Sequence, residues 1–278
     1  MHGQKILSQL QIAWFIALRG IRSSLIGFGL YGAIFTGSVI AVLAIGINIG
    51  AFKENGILIA SNPLNFPLYI VMVLSAVYLS ITASLSVSRE RDKGTLEVLF
   101  YGPVEANSFI FGKYLEQIGI YLLMLVIYGL EFIGFGMATH FGFYGNAMVA
   151  MVLSIVPISG IIVFGILLSV ITKKVRTSTL YLITLLFLFL MIQFGDAVIN
   201  GINLENLPPA LVYLKSFLSF SANVLSWVSP FSYLSREWTA LQVYDASESI
   251  VITLESFLYS GIVLALAIWR FKAKGVKA

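Results

Sequence analysis

Residues 180–192 read LYLITLLFLFLMI, thirteen positions without a charged side chain. A backbone in hydrocarbon has to satisfy its own hydrogen bonds, so only helices and closed β-barrels cross a membrane. Barrel strands alternate apolar and polar residues over about ten positions, and this stretch does not alternate. It therefore predicts a transmembrane helix and indicates an all-α polytopic membrane protein.

The composition of the whole chain agrees with several such crossings. Of 278 residues, 59% are hydrophobic and 11% are charged, whereas a soluble domain carries about 25% charged residues. One crossing of the roughly 30 Å hydrocarbon layer takes about 20 helical residues. The chain has no cysteine, which excludes disulfides and cysteine metal sites. We predict six transmembrane helices, at residues 25–47, 67–88, 109–139, 147–171, 179–200 and 249–270.

The distribution of Lys and Arg predicts the orientation. With an even number of spans both termini share a side, and that side receives fourteen of the 17 basic residues. Lys53, Lys215 and Arg236 fall on the other side. Since basic residues concentrate in cytoplasmic loops, both termini are predicted to be cytoplasmic, in a multi-pass protein of the cell (inner or plasma) membrane.

The segments before the first span and before the last span have distinct patterns. In residues 1–24 apolar side chains recur at helical spacing among polar ones, which predicts an amphipathic helix in the membrane interface; the alternative is an extension of the first span. Residues 201–248 hold an interrupted apolar run bracketed by prolines, which predicts short re-entrant or outer helices. A seventh crossing is the rival, and it would place the basic C-terminal residues outside.

These segments define one transmembrane domain over residues 1–278. It consists of the interfacial helix at 1–24, spans one to five within 25–200, the external segment 201–248, and the last span with a cytoplasmic tail at 249–278.

Residues 88–103, SRERDKGTLEVLFYGP, form a charged segment between two apolar spans. The charged residues are followed by an apolar ridge made of Thr95, Leu96, Val98, Leu99 and Phe100. Gly102-Pro103 then ends any helix. The pattern predicts a short cytoplasmic helix, a turn, and a return to the membrane. A short helix with an apolar ridge and charged ends is suited to dock in a groove of another protein, although an arbitrary charged loop is more often simply solvated.

This segment resembles a signature of the type-2 family of ATP-binding-cassette (ABC) transporter permeases. The family pattern reads approximately E-[RK]-x-x-G-T-L-E-x-L-x-x-x-P, followed by an apolar-Gly-Lys step into the third span. A weaker resemblance covers residues 229–259, where a Ser-Pro-x-x-aromatic stretch precedes the last span but Tyr233 and Arg236-Glu237 depart from the residues usual there. The positions that match the main pattern are Glu90, Arg91, Gly94, Thr95, Leu96, Glu97, Leu99, Pro103, Gly112 and Lys113.

The resemblance implies that residues 88–107 contain a coupling helix, which transmits the closure of ATPase subunits to the spans. In that interpretation Glu90, Arg91 and Glu97 hydrogen-bond the ATPase. Gly94 permits a sharp turn, and Leu96 with Leu99 fills a groove of the partner.

The chain itself is not expected to hydrolyse ATP. A phosphate-binding loop needs G-x-x-x-x-G-K-[ST], and the Gly112-Lys113 step has Asn107 where the first glycine is required. ATP and Mg²⁺ would be bound by a separate ATPase subunit, with no cofactor in this chain. The resemblance implies a permease that pairs with a second copy of itself and with two ATPase subunits, and that acts as an exporter; the remaining contacts are with membrane lipid, not nucleic acid.

Two other functional classes compete with this interpretation. A self-contained secondary transporter would show a repeated half and interrupted helices around a midplane ion site, and no convincing repeat is present. An intramembrane serine hydrolase would need a histidine base, and no histidine lies within a predicted span. His2 and His140 fall at opposite ends of the predicted topology, so a metal site is not expected.

Acidic residues in the spans need partners or water, because they cost free energy against lipid. Glu116 lies three residues after Lys113, which predicts an ion pair within one helix. Glu131 and Asp196 lie toward the outer ends of their spans and are candidates for the substrate path. Lys173, Lys174 and Arg176 are interpreted as a membrane anchor or, alternatively, as a lesser docking loop.

Overall fold

The computed structural model describes residues 2–55, 64–101, 104–139, 145–200, 209–243 and 245–274, and almost all of them are helical. The eleven helices in these ranges are α1 His2–Ile26, α2 Phe28–Asn55, α3 Asn65–Asp92, α4 Thr95–Phe100, α5 Ala106–Thr139, α6 Gly145–Leu153, α7 Ile155–Ile171, α8 Val175–Asn200, α9 Pro209–Val228, α10 Pro230–Gln242 and α11 Ala246–Lys274.

Six segments of the described residues are long and apolar enough to cross a membrane, which confirms the predicted number of spans. They are Phe28–Gly50, Asn65–Asp92, Ala106–Thr139, Ala147–Ile171, Val175–Gln193 and Ala246–Ala273. The helix α9 is not among them, so the rival seventh crossing is not supported. Its sequence carries Lys215 and several serines within the apolar run, which lowers its mean hydropathy.

The helix α7 is the most buried of the six spans and packs between α3 and α11. A Cβ at Gly165 of α7 would lie 2.8 Å from the Ser80 carbonyl oxygen and 2.9 Å from the Ala83 Cβ of α3. Glycine is therefore required for this approach of the two backbones. One turn further on, the Ser169 hydroxyl accepts hydrogen bonds from the backbone N–H groups of Val87 and Ser88, at 3.0 and 2.9 Å. Such small-residue contacts are how helices associate within lipid.

Proline and glycine explain where helices break. Pro157 has no N–H for the carbonyl of Leu153, four residues earlier, and its ring opposes a continuous helix there; the predicted fourth span is divided into α6 and α7 at Ser154. Gly94 has φ 69°, in the left-handed region, and follows the last residues of α3 as a helix-ending glycine commonly does. Pro230 occupies the first turn of α10, where its missing N–H costs nothing.

The helix α1 is a separate helix and not an extension of the first span, because the chain bends at Gly27. It packs along α5: a Cβ at Gly112 would lie 2.8 Å from the Ala13 carbonyl oxygen. Ser108 donates a 2.5 Å hydrogen bond to Gln9 Oε1. On the side away from α5, large side chains including Trp14 and Phe15 are exposed, as an interfacial helix would require.

The end of the bundle where α3, α7 and α11 finish and α5 and α8 begin carries most of the basic side chains in the described residues. It includes Arg89, Arg91, Lys93, Lys113, Lys173, Lys174, Arg176, Arg270 and Lys272. We call it the basic end, and the end where α9 and α10 lie the opposite end.

Candidate coupling site

The short helix α4 lies at the basic end, between two of the longest helices in the described part of the chain. The left-handed backbone of Gly94 reverses the chain after α3, and Thr95 Oγ1 donates a 3.1 Å hydrogen bond back to the carbonyl of Glu90. The predicted short helix and its glycine turn are thus present at residues 94–100. Pro103, which was expected to end it, lies outside the described residues.

One side of α4 belongs to the core of this chain. Leu96 is 2% exposed within the hydrophobic core, and Leu99 and Phe100 are half-buried against it. The side chain of Leu96 already packs inside its own subunit, which does not support its predicted role of filling a partner's groove. Leu99 is only partly available for the same reason.

The other side of α4 is free in the single chain. Val98 is 71% exposed and Tyr101 is 90% exposed, and Thr95 and Glu97 are exposed beside them. From the sequence, Val98 was counted only as part of the apolar ridge and Tyr101 was not singled out, although the two lie one helical turn apart on the face opposite Leu96. We call Thr95, Glu97, Val98 and Tyr101 the α4 outer face.

Three charged side chains, two of them buried, form a group beside α4. Lys113 Nζ lies 2.7 Å from Glu90 Oε1 of α3 and 3.2 Å from Glu116 Oε2 of its own helix. Lys113 and Glu116 are each 8% exposed. The predicted Lys113–Glu116 pair is confirmed, whereas Glu90 faces inward and not toward a partner. We call these three residues the charge cluster.

The charge cluster also determines how α1 fits. A Cβ at Gly20 of α1 would overlap the Glu116 carboxylate, so the absence of a side chain at Gly20 leaves room for that group. The cluster therefore joins the end of α3, the first turns of α5 and the contact face of α1.

Arg91 is also turned into the chain. Its Nη1 donates a 2.8 Å hydrogen bond to the carbonyl of Thr172 and a longer one, at 3.4 Å, to Val170. These carbonyls end α7, where a cation is favoured by the helix dipole and by unpaired carbonyl groups. Of the charged residues expected to contact an ATPase, Glu97 is thus the one that faces outward, while Glu90, Arg91 and Lys113 hold the base of α4 in place.

The candidates for a substrate path are only partly described. Glu131 of α5 accepts a 2.7 Å hydrogen bond from Ser38 Oγ of α2, so the two helices share a polar contact within the bundle. Asp196 belongs to α8, but its side chain lies outside the described part of the structure, as does His140. Among the described residues no group of three His, Asp or Glu side chains could hold a metal ion.

A second set of charged side chains lies between α10 and α11. Arg236 pairs with Glu255 at 3.1 Å and lies over the rings of Trp227 and Tyr233. Glu237 is 2% exposed and accepts hydrogen bonds from Ser249 Oγ at 2.5 Å and Thr253 Oγ1 at 3.3 Å. Burial raises the pKa of the Glu237 carboxyl, and these two hydrogen bonds oppose the shift. Sequence reasoning noted Arg236-Glu237 as a departure from the expected pattern but did not find these contacts.

Comparison with known proteins agrees with this architecture. The model of a family described as ABC-2 family transporter protein matches residues 8–276, which is nearly the whole chain. A search of curated proteins gave no match. Together with six membrane-spanning helices, the match shows that this protein belongs to the ABC-2 transporter family and is a multi-pass ABC transporter permease.

Proposed function

We propose that this permease couples ATP hydrolysis by a separate ABC ATPase subunit to export of a substrate, and that the α4 outer face is where the ATPase docks. Membership in the family implies an ABC ATPase partner. The observation that supports the docking site is the division of α4 into a buried side held by Leu96 and an exposed side carrying Val98 and Tyr101.

The chemistry of the α4 outer face suits a protein groove. Val98 and Tyr101 offer apolar and aromatic area one turn apart, and interface cores are enriched in aromatic residues. Glu97 beside them can accept charge-assisted hydrogen bonds from basic side chains of the ATPase. The residues that hold α4 face inward, so docking does not need to disturb them.

The basic end also bears on how the ATPase and a second permease copy would be arranged. Its Lys and Arg residues support a cytoplasmic location for this end, where ATP and Mg²⁺ would be bound by the ATPase. The spans α8 and α2 have the smallest buried share of the six, and α2 exposes large side chains such as Phe35 and Ile47. We propose that a second copy of the permease covers part of this surface, with one ATPase subunit for each copy. Closure of the two ATPases would then shift the spans between inward-open and outward-open states.

The test is copurification of the ATPase with single-residue variants of the full-length chain. Val98→Asp and Tyr101→Ala should each lose most of the ATPase that copurifies with the unmodified permease, because a charge or a truncation in the core of an interface is costly. Matched controls are Val243→Asp and Tyr213→Ala, at the opposite end, since Val243 is 72% and Tyr213 77% exposed.

Equal ATPase recovery with Val98→Asp and Val243→Asp would contradict docking on this face. Transport by the purified chain alone, without ATP, would contradict the whole proposal and favour a secondary transporter. For the substrate path, Glu131→Gln and Asp196→Asn should reduce ATP-dependent transport, and unchanged transport in both variants would remove these two residues from the proposal.

A further inference from the structure

Three phenylalanine rings from distant parts of the chain meet at the basic end. Phe100 of α4 lies 6.0 Å from Phe109 of α5 and 5.8 Å from Phe271 of α11, between ring centroids. Phe109 and Phe271 stack at 5.6 Å. Phe109 is 0% and Phe271 2% exposed. We call these residues the ring cluster.

The ring cluster connects α4 to α11, a span that is far from α4 in the sequence. The helices α3 and α5 flank α4 in the sequence, so they are joined to it by short backbone segments. The helix α11 ends more than 170 residues later and reaches α4 through Phe271. Aromatic rings in this distance range attract each other beyond the effect of burial, and a packed ring contact transmits displacement because protein interiors resist compression.

The ring cluster is continuous with the charge cluster. Lys113 Nζ lies 6.0 Å from the centroid of the Phe109 ring, on the same helix face. A displacement of α4 therefore reaches α3 through the Gly94 turn and the Thr95–Glu90 hydrogen bond, and it reaches α5 and α11 through the ring cluster. The charge cluster ties α3 to α5 at the same place. Along its length α11 packs against the buried α7, where a Cβ at Gly160 would lie 3.2 Å from Ser260 Oγ.

We propose that Phe271 is a positioning residue through which movement of α4 reaches the last span. This inference rests on the proposed function, since it assumes that an ATPase moves α4. Without the Phe271 ring, α4 still docks the ATPase and still pulls on α3 and α5, but α11 no longer follows.

The experiment measures the movement of two spans separately in the permease–ATPase complex. The chain has no cysteine, so a single introduced cysteine carries a fluorophore that reports its local environment. Ala246→Cys reports the far end of α11 and Met137→Cys the far end of α5; both positions are exposed. Fluorescence is compared without nucleotide and with ATP plus orthovanadate.

In the Phe271→Ala background the nucleotide-dependent change at Ala246→Cys should fall at least about fivefold, the lower range of typical coupling between distant sites. The change at Met137→Cys and the copurified ATPase should be retained. Trp269→Ala is the matched control, because this ring lies two residues earlier on α11 and is 63% exposed; it should alter neither signal. Phe271→Leu, which keeps apolar volume, should give an intermediate loss and serves if the alanine variant does not assemble.

Double substitution tests the contact itself. Phe100→Ala should reduce the Ala246→Cys signal as Phe271→Ala does, and the combined variant should be no worse than either one, since residues in contact are not additive. A full signal in Phe271→Ala, an equal loss at both reporters, or the same loss in Trp269→Ala would overturn the inference. Failure of the ATPase to copurify with the unmodified permease would instead overturn the proposed function, and this inference with it.

Discussion

The two ends of the bundle each hold a paired cation, and the two cations are used differently. At the basic end, Lys113 is 8% exposed and bridges Glu90 of α3 to Glu116 of α5. At the opposite end, Arg236 is about one third exposed and pairs with Glu255, while its guanidinium lies over two aromatic rings. Lys113 joins α3 to α5 beside α4. Arg236 joins α10 to α11, the next helix in the chain.

This difference separates the mechanical roles of the two ends. Separating a buried charge from its partner costs much free energy. The ends of α3 and α5 beside α4 are therefore expected to move as one piece. A partly exposed pair contributes less than a buried one, so the α10–α11 contact is expected to open at lower cost. A firmly held basic end and a more weakly paired opposite end fit the proposal that an ATPase acts on the basic end while the spans open at the other end.

The largest effect should come from Lys113→Met. The substitution leaves Glu90 and Glu116 without their shared cation, and breaking a buried ion pair costs about 3–5 kcal/mol. The measurement is the free energy of unfolding in a titration from mild detergent into SDS. Lys173→Met, which removes an exposed lysine at the same end, is the control. If both variants unfold at the same SDS fraction, the charge cluster does not hold the basic end together.

Arg91→Ala should have the next largest effect. It removes the charge-assisted hydrogen bond to the Thr172 carbonyl, and such bonds contribute about 1.5–3 kcal/mol. The same detergent titration measures the loss, and Arg89→Ala is the control because Arg89 is exposed two residues earlier. Equal stability of the two variants would show that capping of α7 by Arg91 is unimportant.

Arg236→Met sharpens the comparison, since it removes the cation at the opposite end as Lys113→Met does at the basic end. The pair is partly exposed, so its loss together with the ring contacts should cost about 1 kcal/mol. A double-mutant cycle with Glu255→Gln isolates the pairwise contribution. A cost as large as that of Lys113→Met would contradict the distinction between the two ends.

The smallest effect at neutral pH is expected from Glu237→Gln. Burial raises the pKa of Glu237 above its ordinary value of 4.5, so the folded state retains a proton that the unfolded chain releases. Its stabilising contribution is therefore full below that ordinary value and is lost as the pH rises through the raised pKa. Glutamine cannot ionise, so the variant should lack this part of the pH dependence.

Unfolding titrations of Glu237→Gln at several pH values test this expectation. Glu248→Gln, which changes an exposed acid at the start of α11, should keep the pH dependence of the unmodified chain. An unchanged slope in Glu237→Gln would mean that folding does not raise the pKa of Glu237.

The sequence predicted what depends on local composition. Hydropathy and length are sufficient to find six spans, and the three-residue spacing of Lys113 and Glu116 is sufficient to predict their pair. The contact of Lys113 with Glu90 and the burial of Leu96 depend on how α3 and α5 come together, which no local spacing determines. A motif also does not distinguish residues that would contact a partner from residues that pack inside their own chain, and the described contacts of Glu90 and Arg91 lie within the chain. Phe271 has no sequence pattern at all, because its partners lie more than 160 residues away.

The interruption at Ser154 has a consequence for how the fourth crossing can bend. Pro157 removes one backbone hydrogen bond of the helix, while the rest of α7 packs between α3 and α11. The nine residues of α6 connect to α7 at Ser154. The Ser154 hydroxyl lies 2.6 Å from the Tyr121 hydroxyl of α5, and this hydrogen bond holds the junction against α5. Any bend in this crossing is therefore expected near Ser154, with α6 displaced relative to the more tightly packed α7.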